Sequence, residues 1–229
     1  MKRTTGRDRS ITRNWRPATQ AVRGGTWRSE MGETSEAIFL TSGFAYDDAE
    51  TAAARFRGED DGMTYSRLQN PTVAMLEERI ALMDGAEACR VQASGMAAMT
   101  AAMLCQLQAG DHVVAGRAAF GSCRWLVDQL LPRFGITCTT IDARDNAQWE
   151  AAIQPNTKVF FFETPANPTM DIVDLAAVCG LARSQTAARS TMSIVGFAGV
   201  SMITSRVLGL SAASVAARSE VSTNVVSTP

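Results

Sequence analysis

The chain has 229 residues, 46% of them apolar, and a formal net charge of −1, with 22 Lys and Arg against 23 Asp and Glu. That length allows one large domain or two small ones around a substantial core, and the balanced charge gives no electrostatic footprint for nucleic acid or an anionic membrane. The longest apolar stretch near the C-terminus, 194–203, is about half of what a bilayer span requires, which argues against membrane insertion.

Residues 1–20 are rich in Arg and Thr and carry no apolar leader core, so they are expected to form a disordered lead and not a secretion signal. From 21 to 62 the pattern is irregular and Gly-rich, with one helical stretch at 47–56, and 1–62 together reads as a lead and extended arm. A regular alternation follows. Apolar residues Val73, Leu76, Ile80 and Met83 fall at helical spacing and stop at Asp84-Gly85, which predicts a helix over 73–83. A short strand is expected at 88–92, a helix at 95–107, a strand at 112–115, a helix at 123–134 and a strand at 137–141. A helix at 147–153, a wholly apolar strand at 159–163 and a helix at 175–182 complete the series.

Strands alternating with helices of this length mean βαβ units and a mostly parallel sheet. The run Val159-Phe160-Phe161-Phe162 suits a central strand buried on both faces. The α/β body is therefore placed at 63–184. Residues 185–229 are dominated by Ser, Thr, Ala and Val, show no continuing alternation, and read as a divergent tail of the kind a shifted reading frame produces.

Ligands of such sheets lie beyond the carboxyl ends of the strands, and four segments there carry chemistry. Ala93-Ser94-Gly95-Met96 turns a strand into a helix and leaves free amides and a positive dipole end that suit a phosphate; Ser94 also serves as the cap. Tyr65-Ser66-Arg67, read as an extended segment, sets a phenol and a guanidinium two residues apart on the same side, able to share an anion. Phe120-Gly121-Ser122-Cys123 offers an aromatic face. Glu163-Thr164-Pro165-Ala166-Asn167-Pro168 follows the buried strand, with Asn167 held between two prolines. Taken singly, each reads as readily as capping, a solvated loop, core packing or a stiff connection.

In this order and spacing, Y-S-R-L-Q-N-P-T, A-S-G-M-A-A, F-G-S-C and E-T-P-A-N-P-T resemble the pyridoxal-phosphate (PLP) enzymes of cysteine and methionine metabolism, the trans-sulfuration family, over about residues 20–183. T-S-G-F-A-Y-D-D-A-E at 41–50 and R-A-A-F-G-S-C tilt the resemblance toward its O-succinylhomoserine sulfhydrylase branch. The resemblance implies an incomplete type I PLP-dependent transferase (aminotransferase-like) large domain, α/β with flanking helices, in a cytoplasmic homo-oligomer that acts on a small amino-acid substrate. Gly95 and Met96, with Ser94 in the same turn, would hold the phosphate of pyridoxal 5'-phosphate. Tyr65 and Arg67 would reach the phosphate bound by a neighbouring copy. Phe120 would stack on the ring where most members use Tyr, Asn167 would contact the ring's phenolic oxygen, and Glu163 would support that loop. The implied reaction forms homocysteine from an activated homoserine ester and sulfide; a cystathionine γ-synthase or methionine γ-lyase activity, or a non-catalytic remnant, stands as the alternative.

The pattern departs from the family after about residue 184. Neither V-D-N, whose Asp would pair with the pyridine nitrogen, nor S-x-T-K, whose Lys would form the Schiff base, follows. Lys2 and Lys158 are the only lysines, the first in the polar lead and the second at the amino end of a strand, so no catalytic residue is assigned. The family's substrate-binding C-terminal domain is not represented either. His112, the single histidine, is expected to be structural. The five cysteines show no metal-ligand spacing and read as reduced, mostly buried thiols.

Overall fold

The computed structural model describes residues 12–86, 88–189, 193–198 and 201–206, which fall into two compact units, Met1–Val91 and Gln92–Pro229.

The first unit is built on helix α3 (Pro71–Met83), entered through Asn70, whose side chain accepts from the Thr72 amide at 2.9 Å. Helix α2 (Ala49–Arg57) is capped in the same way by Asp48. Residues 12–20 are not a disordered lead: helix α1 (Pro17–Arg23) packs on α3, and Thr12 and Gln20 are buried. Pro17 opens the helix at a position where a missing amide costs nothing, and the Gln20 amide closes on the Thr12 carbonyl at 3.0 Å. Arg79 pins the following segment by donating to the Gly24 carbonyl and the Thr26 hydroxyl and by pairing with Glu36. Gly25 sits at φ +72°, and a Cβ there would meet the Met75 carbonyl oxygen at 2.6 Å, so the turn presses backbone on backbone. Residues 1–11 lie outside the described residues.

The second unit follows the expected alternation. Helix α4 (Gly95–Leu104) precedes β1 (His112–Gly116); then come α5 (Gly121–Trp125), a π-helical turn (Leu126–Leu130), α6 (Leu131–Arg133) and β2 (Thr137–Ile141). Helix α7 (Asn146–Ala151), β3 (Thr157–Glu163) and α8 (Leu175–Arg189) complete the alternation, followed by β4 (Ser193–Ala198) and β5 (Ser201–Arg206). The sheet order is β2-β1-β3-β4-β5, parallel except for β5. Alternate residues of the central strands feed two apolar layers. Val113, Ala115, Val159 and Phe161 meet Met99, Met103, Leu126 and Val127 on one face; Val114, Phe160 and Phe162 meet Trp149 and Val178 on the other. The family-like α/β architecture with helices on both faces of a mainly parallel sheet is thus the observed one.

Three local readings change. Residues 88–92 form no strand; the Val91 amide donates to Glu77 at 3.0 Å instead of to a neighbouring chain segment. The helix expected at 123–134 widens to i→i−5 bonding before Pro132, because proline lacks the amide for an i→i−4 bond and its ring crowds that carbonyl. Within 185–229 the sheet continues: β4 pairs parallel with β3 from Val159↔Ser193 to Glu163↔Phe197, and β5 returns antiparallel. Residues 207–229 lie outside the described residues. No described helix is long and apolar enough to cross a membrane.

Candidate functional site

The carboxyl ends of β1 and β3 lie side by side, since the two strands pair in parallel through Ala115↔Phe161. The chain leaving β1 reaches Phe120, the residue before α5; the chain leaving β3 enters the Pro165–Pro168 loop. Glu163, the last residue of β3 and only 4% exposed, stands between them. One carboxylate oxygen accepts the Phe120 amide at 2.9 Å and the other accepts the Asn167 amide at 3.2 Å. Beside it lies the buried Cys123 thiol, which burial and the neighbouring Glu163 push up to about 11.

The Phe120 ring is 48% exposed although its backbone is held, so a large apolar face is presented to the surroundings at this end of the sheet. Asn167 is exposed as well, and its loop is closed by Met170 N–H to the Ala166 carbonyl at 2.6 Å and Val173 N–H to the Thr164 hydroxyl at 3.1 Å. Helix α4 precedes β1 in the chain, and the Ser94-Gly95 turn stands at its N-terminus. Ser94 is extended (φ −155°, ψ 160°) and its hydroxyl accepts from Ala97 at 3.2 Å. Gly95 is exposed, with open space within 4 Å of where a Cβ would lie. The first amides of the helix have no intrahelical partner by geometry and face that space with the positive end of the dipole.

Tyr65 and Arg67 belong to the first unit. They do not lie along an extended segment: Tyr65 bridges Gly43 and then opens a turn, with Leu68 and Gln69 both donating to its carbonyl. The turn folds the Arg67 guanidinium over the Tyr65 ring, 4.9 Å from its centroid, and both side chains are exposed. The structure therefore brings together two subsets, Tyr65 with Arg67, and Phe120 with Glu163 and Asn167.

Residue patterns missed one feature of this end of the sheet. Asp142, just after β2, pairs with Arg117 at 3.1 Å and Arg144 at 2.7 Å, and Arg144 reaches Asp171 at 3.7 Å. The hydrogen bonds from Arg144 hold the Asp142 carboxyl far below the usual range. The cluster ties the loops after β1, β2 and β3 together; its signal was Asp142-Ala143-Arg144-Asp145 directly behind a strand. Among the described residues no group of three or more His, Cys, Asp or Glu could hold a metal. Lys158 lies at the opposite end of β3 from Glu163, five residues or about 16 Å away along the strand.

Residues 18–212 match the family model described as Cys/Met metabolism PLP-dependent enzyme. The O-succinylhomoserine sulfhydrylase of Mycobacterium tuberculosis is 47% identical over 167 residues, 73% of this chain and 41% of the relative. The L-methionine gamma-lyase of Porphyromonas gingivalis is 40% identical over 172 residues, 75% of this chain and 43% of the relative. Among solved structures, a Campylobacter jejuni chain described as an O-acetylhomoserine (thiol)-lyase matches with a TM-score of 0.72 and 29% identity. The match covers 80% of this chain and 50% of that one, which carries its pyridoxyl group on a lysine. The chain spans less than half the length of these curated relatives.

Proposed function

The chain belongs to the Cys/Met metabolism family of PLP-dependent enzymes, and from that premise we propose that it is the cofactor-binding part of an O-succinylhomoserine sulfhydrylase-type protein that holds pyridoxal phosphate without a covalent link. Bound cofactor of this kind supplies an electron sink for an amino-acid substrate. The observation that carries the reading is Glu163, bonded at once to the Phe120 and Asn167 amides. In this reading the Gly95 and Met96 amides and the Ser94 turn grip the phosphate, Phe120 covers one face of the ring and Asn167 meets its phenolic oxygen. Phe120 carries no hydroxyl, so it orients the ring and moves no proton. Tyr65 and Arg67 serve the phosphate of a second copy. The fit is of phosphate and ring alone, because residues 159–229 contain no lysine and Lys158 stands at the far end of β3.

The lineage is that of the sulfhydrylase branch, whose reaction would form homocysteine from an activated homoserine ester and sulfide, with this chain by itself inactive; the branch is supported by 47% identity to such enzymes. A methionine γ-lyase-like activity is the second reading, favoured by the 40% match. The experiment is borohydride reduction of the PLP-loaded chain followed by peptide mapping, beside an assay with O-succinylhomoserine and sulfide. Saturable cofactor binding with no pyridoxylated peptide and no turnover is the expected result. A pyridoxyl group on Lys158 accompanied by turnover would overturn it.

A further inference from the structure

We propose that Glu163 is a positioning residue whose two carboxylate oxygens fix the separation of the Phe120 and Asn167 loops, and so set the slot that takes a flat heteroaromatic ring. The inference rests on the reading of this sheet end as a cofactor site and adds a division of labour within it. Glu163 ends the central strand, so its position is dictated by the β1–β3 pairing and by the aromatic core beneath it. Each oxygen is engaged by a different connection: one by the amide that follows β1, the other by the amide four residues further along its own loop. Among the described residues no Arg or Lys pairs with Glu163. The buried acid is therefore bonded by two backbone amides, with the Cys123 thiol as a further partner, and the amide bonds act on loop geometry and not on charge pairing. The phosphate turn at Ser94-Gly95 takes no part in these bonds, so ring-holding and phosphate-holding are mechanically separate.

The separation gives a test on the full chain. Pyridoxal phosphate and inorganic phosphate are each titrated calorimetrically into the unsubstituted chain, Glu163→Gln and Glu163→Ala. Glutamine keeps one acceptor oxygen and turns its amino group toward the other amide, so one tether survives; alanine removes both. The expected loss of pyridoxal phosphate affinity is about threefold for Gln and about tenfold for Ala, with phosphate affinity changed by less than about twofold. Hydrogen exchange at the Phe120 and Asn167 amides should accelerate in the same order. Equal losses for both ligands would mark Glu163 as a general support of the unit and overturn the proposal, as would unchanged pyridoxal phosphate affinity. If the alanine variant does not fold, the glutamine variant decides between the same outcomes. Unprotected Phe120 and Asn167 amides in the unsubstituted chain overturn it without any variant. An unsubstituted chain that binds neither ligand, yet protects both amides, refutes the cofactor reading beneath the proposal and not the tether itself.

Discussion

Arg67 lays its guanidinium over the ring of Tyr65, 4.9 Å from the centroid, so the two side chains form one exposed cationic platform. Stacking of this kind stiffens the arginine without neutralising it, and its donors remain free to grip an anion.

If that platform serves the phosphate of a second copy, Arg67→Ala weakens pyridoxal phosphate binding about three- to tenfold at low salt. The gap between variant and unsubstituted chain closes as salt rises toward about 1 M, where screening acts within roughly 3 Å. Titrations at two salt concentrations and two protein concentrations check this. An Arg67→Ala chain with unaltered affinity at low salt removes Arg67 from the site.

His112 is fully buried at the start of β1, with Nδ1 2.8 Å from the Thr157 hydroxyl and Nε2 2.8 Å from that of Thr139. Burial holds its imidazole below the ordinary 6.5. Above 6.5 the ring is neutral in folded and unfolded chains alike and contributes no pH dependence. Below 6.5 the unfolded chain takes a proton that the folded one resists, so stability falls as pH falls, by at most about 1.4 kcal/mol per pH unit. Denaturant unfolding of the unsubstituted chain and His112→Asn at pH 7.5 and 5.5 isolates this contribution. Parallel pH profiles for the two proteins would rule it out.

Cys123 and Cys138 are both pushed up to about 11, each chiefly by burial. At pH 7.5 roughly one molecule in 3,000 would carry either thiolate, so alkylation should be more than about a hundredfold slower than for an unperturbed thiol. Iodoacetamide labelling read by peptide mass spectrometry should find exposed Cys105 modified first. Labelling of Cys123 within tenfold of free cysteine contradicts the packed environment described around Glu163.

Trp149 is fully buried, 4.9 Å from Phe160 and 5.8 Å from Phe162 between ring centroids, and its indole donates to the Ala143 carbonyl at 3.0 Å. Trp149→Ala should cost about 3–5 kcal/mol. Trp149→Phe keeps the aromatic contacts, loses the hydrogen bond, and should cost about 1–2 kcal/mol. Chemical denaturation followed by circular dichroism gives both values; equal costs would mean that the aromatic packing contributes little.

The central strands were legible because their chemistry is extreme: Val159-Phe160-Phe161-Phe162 has no polar position, and such a run in a βαβ pattern is buried on both faces. The capped helix start at Ser94 was legible for a similarly local reason, a side-chain oxygen placed ahead of an apolar run. What escaped depended on distant partners. Gln20 looks like surface until its amide finds Thr12. Residues 88–92 have the composition of a strand, but Glu77 takes the Val91 amide. The segment Ser193–Ala198 alternates weakly on its own and becomes a strand through its register with Val159–Glu163. At the candidate site the residue types were readable, whereas the double engagement of Glu163 and the Asp142–Arg144 pair required the sheet to bring three loops together.

The position of β3 between β1 and β4 has a consequence for synthesis of the chain. Its inner neighbour β1 is made before it, but its outer neighbour begins at Ser193, 30 residues after Glu163. At about 5–20 residues per second, the Phe160–Phe162 edge waits roughly 2–6 seconds on the ribosome with its hydrogen-bonding groups open. Yield of folded protein is then governed by how quickly 164–192 is translated: slower elongation there prolongs exposure of the stickiest strand and increases its reliance on chaperones that shield nascent segments.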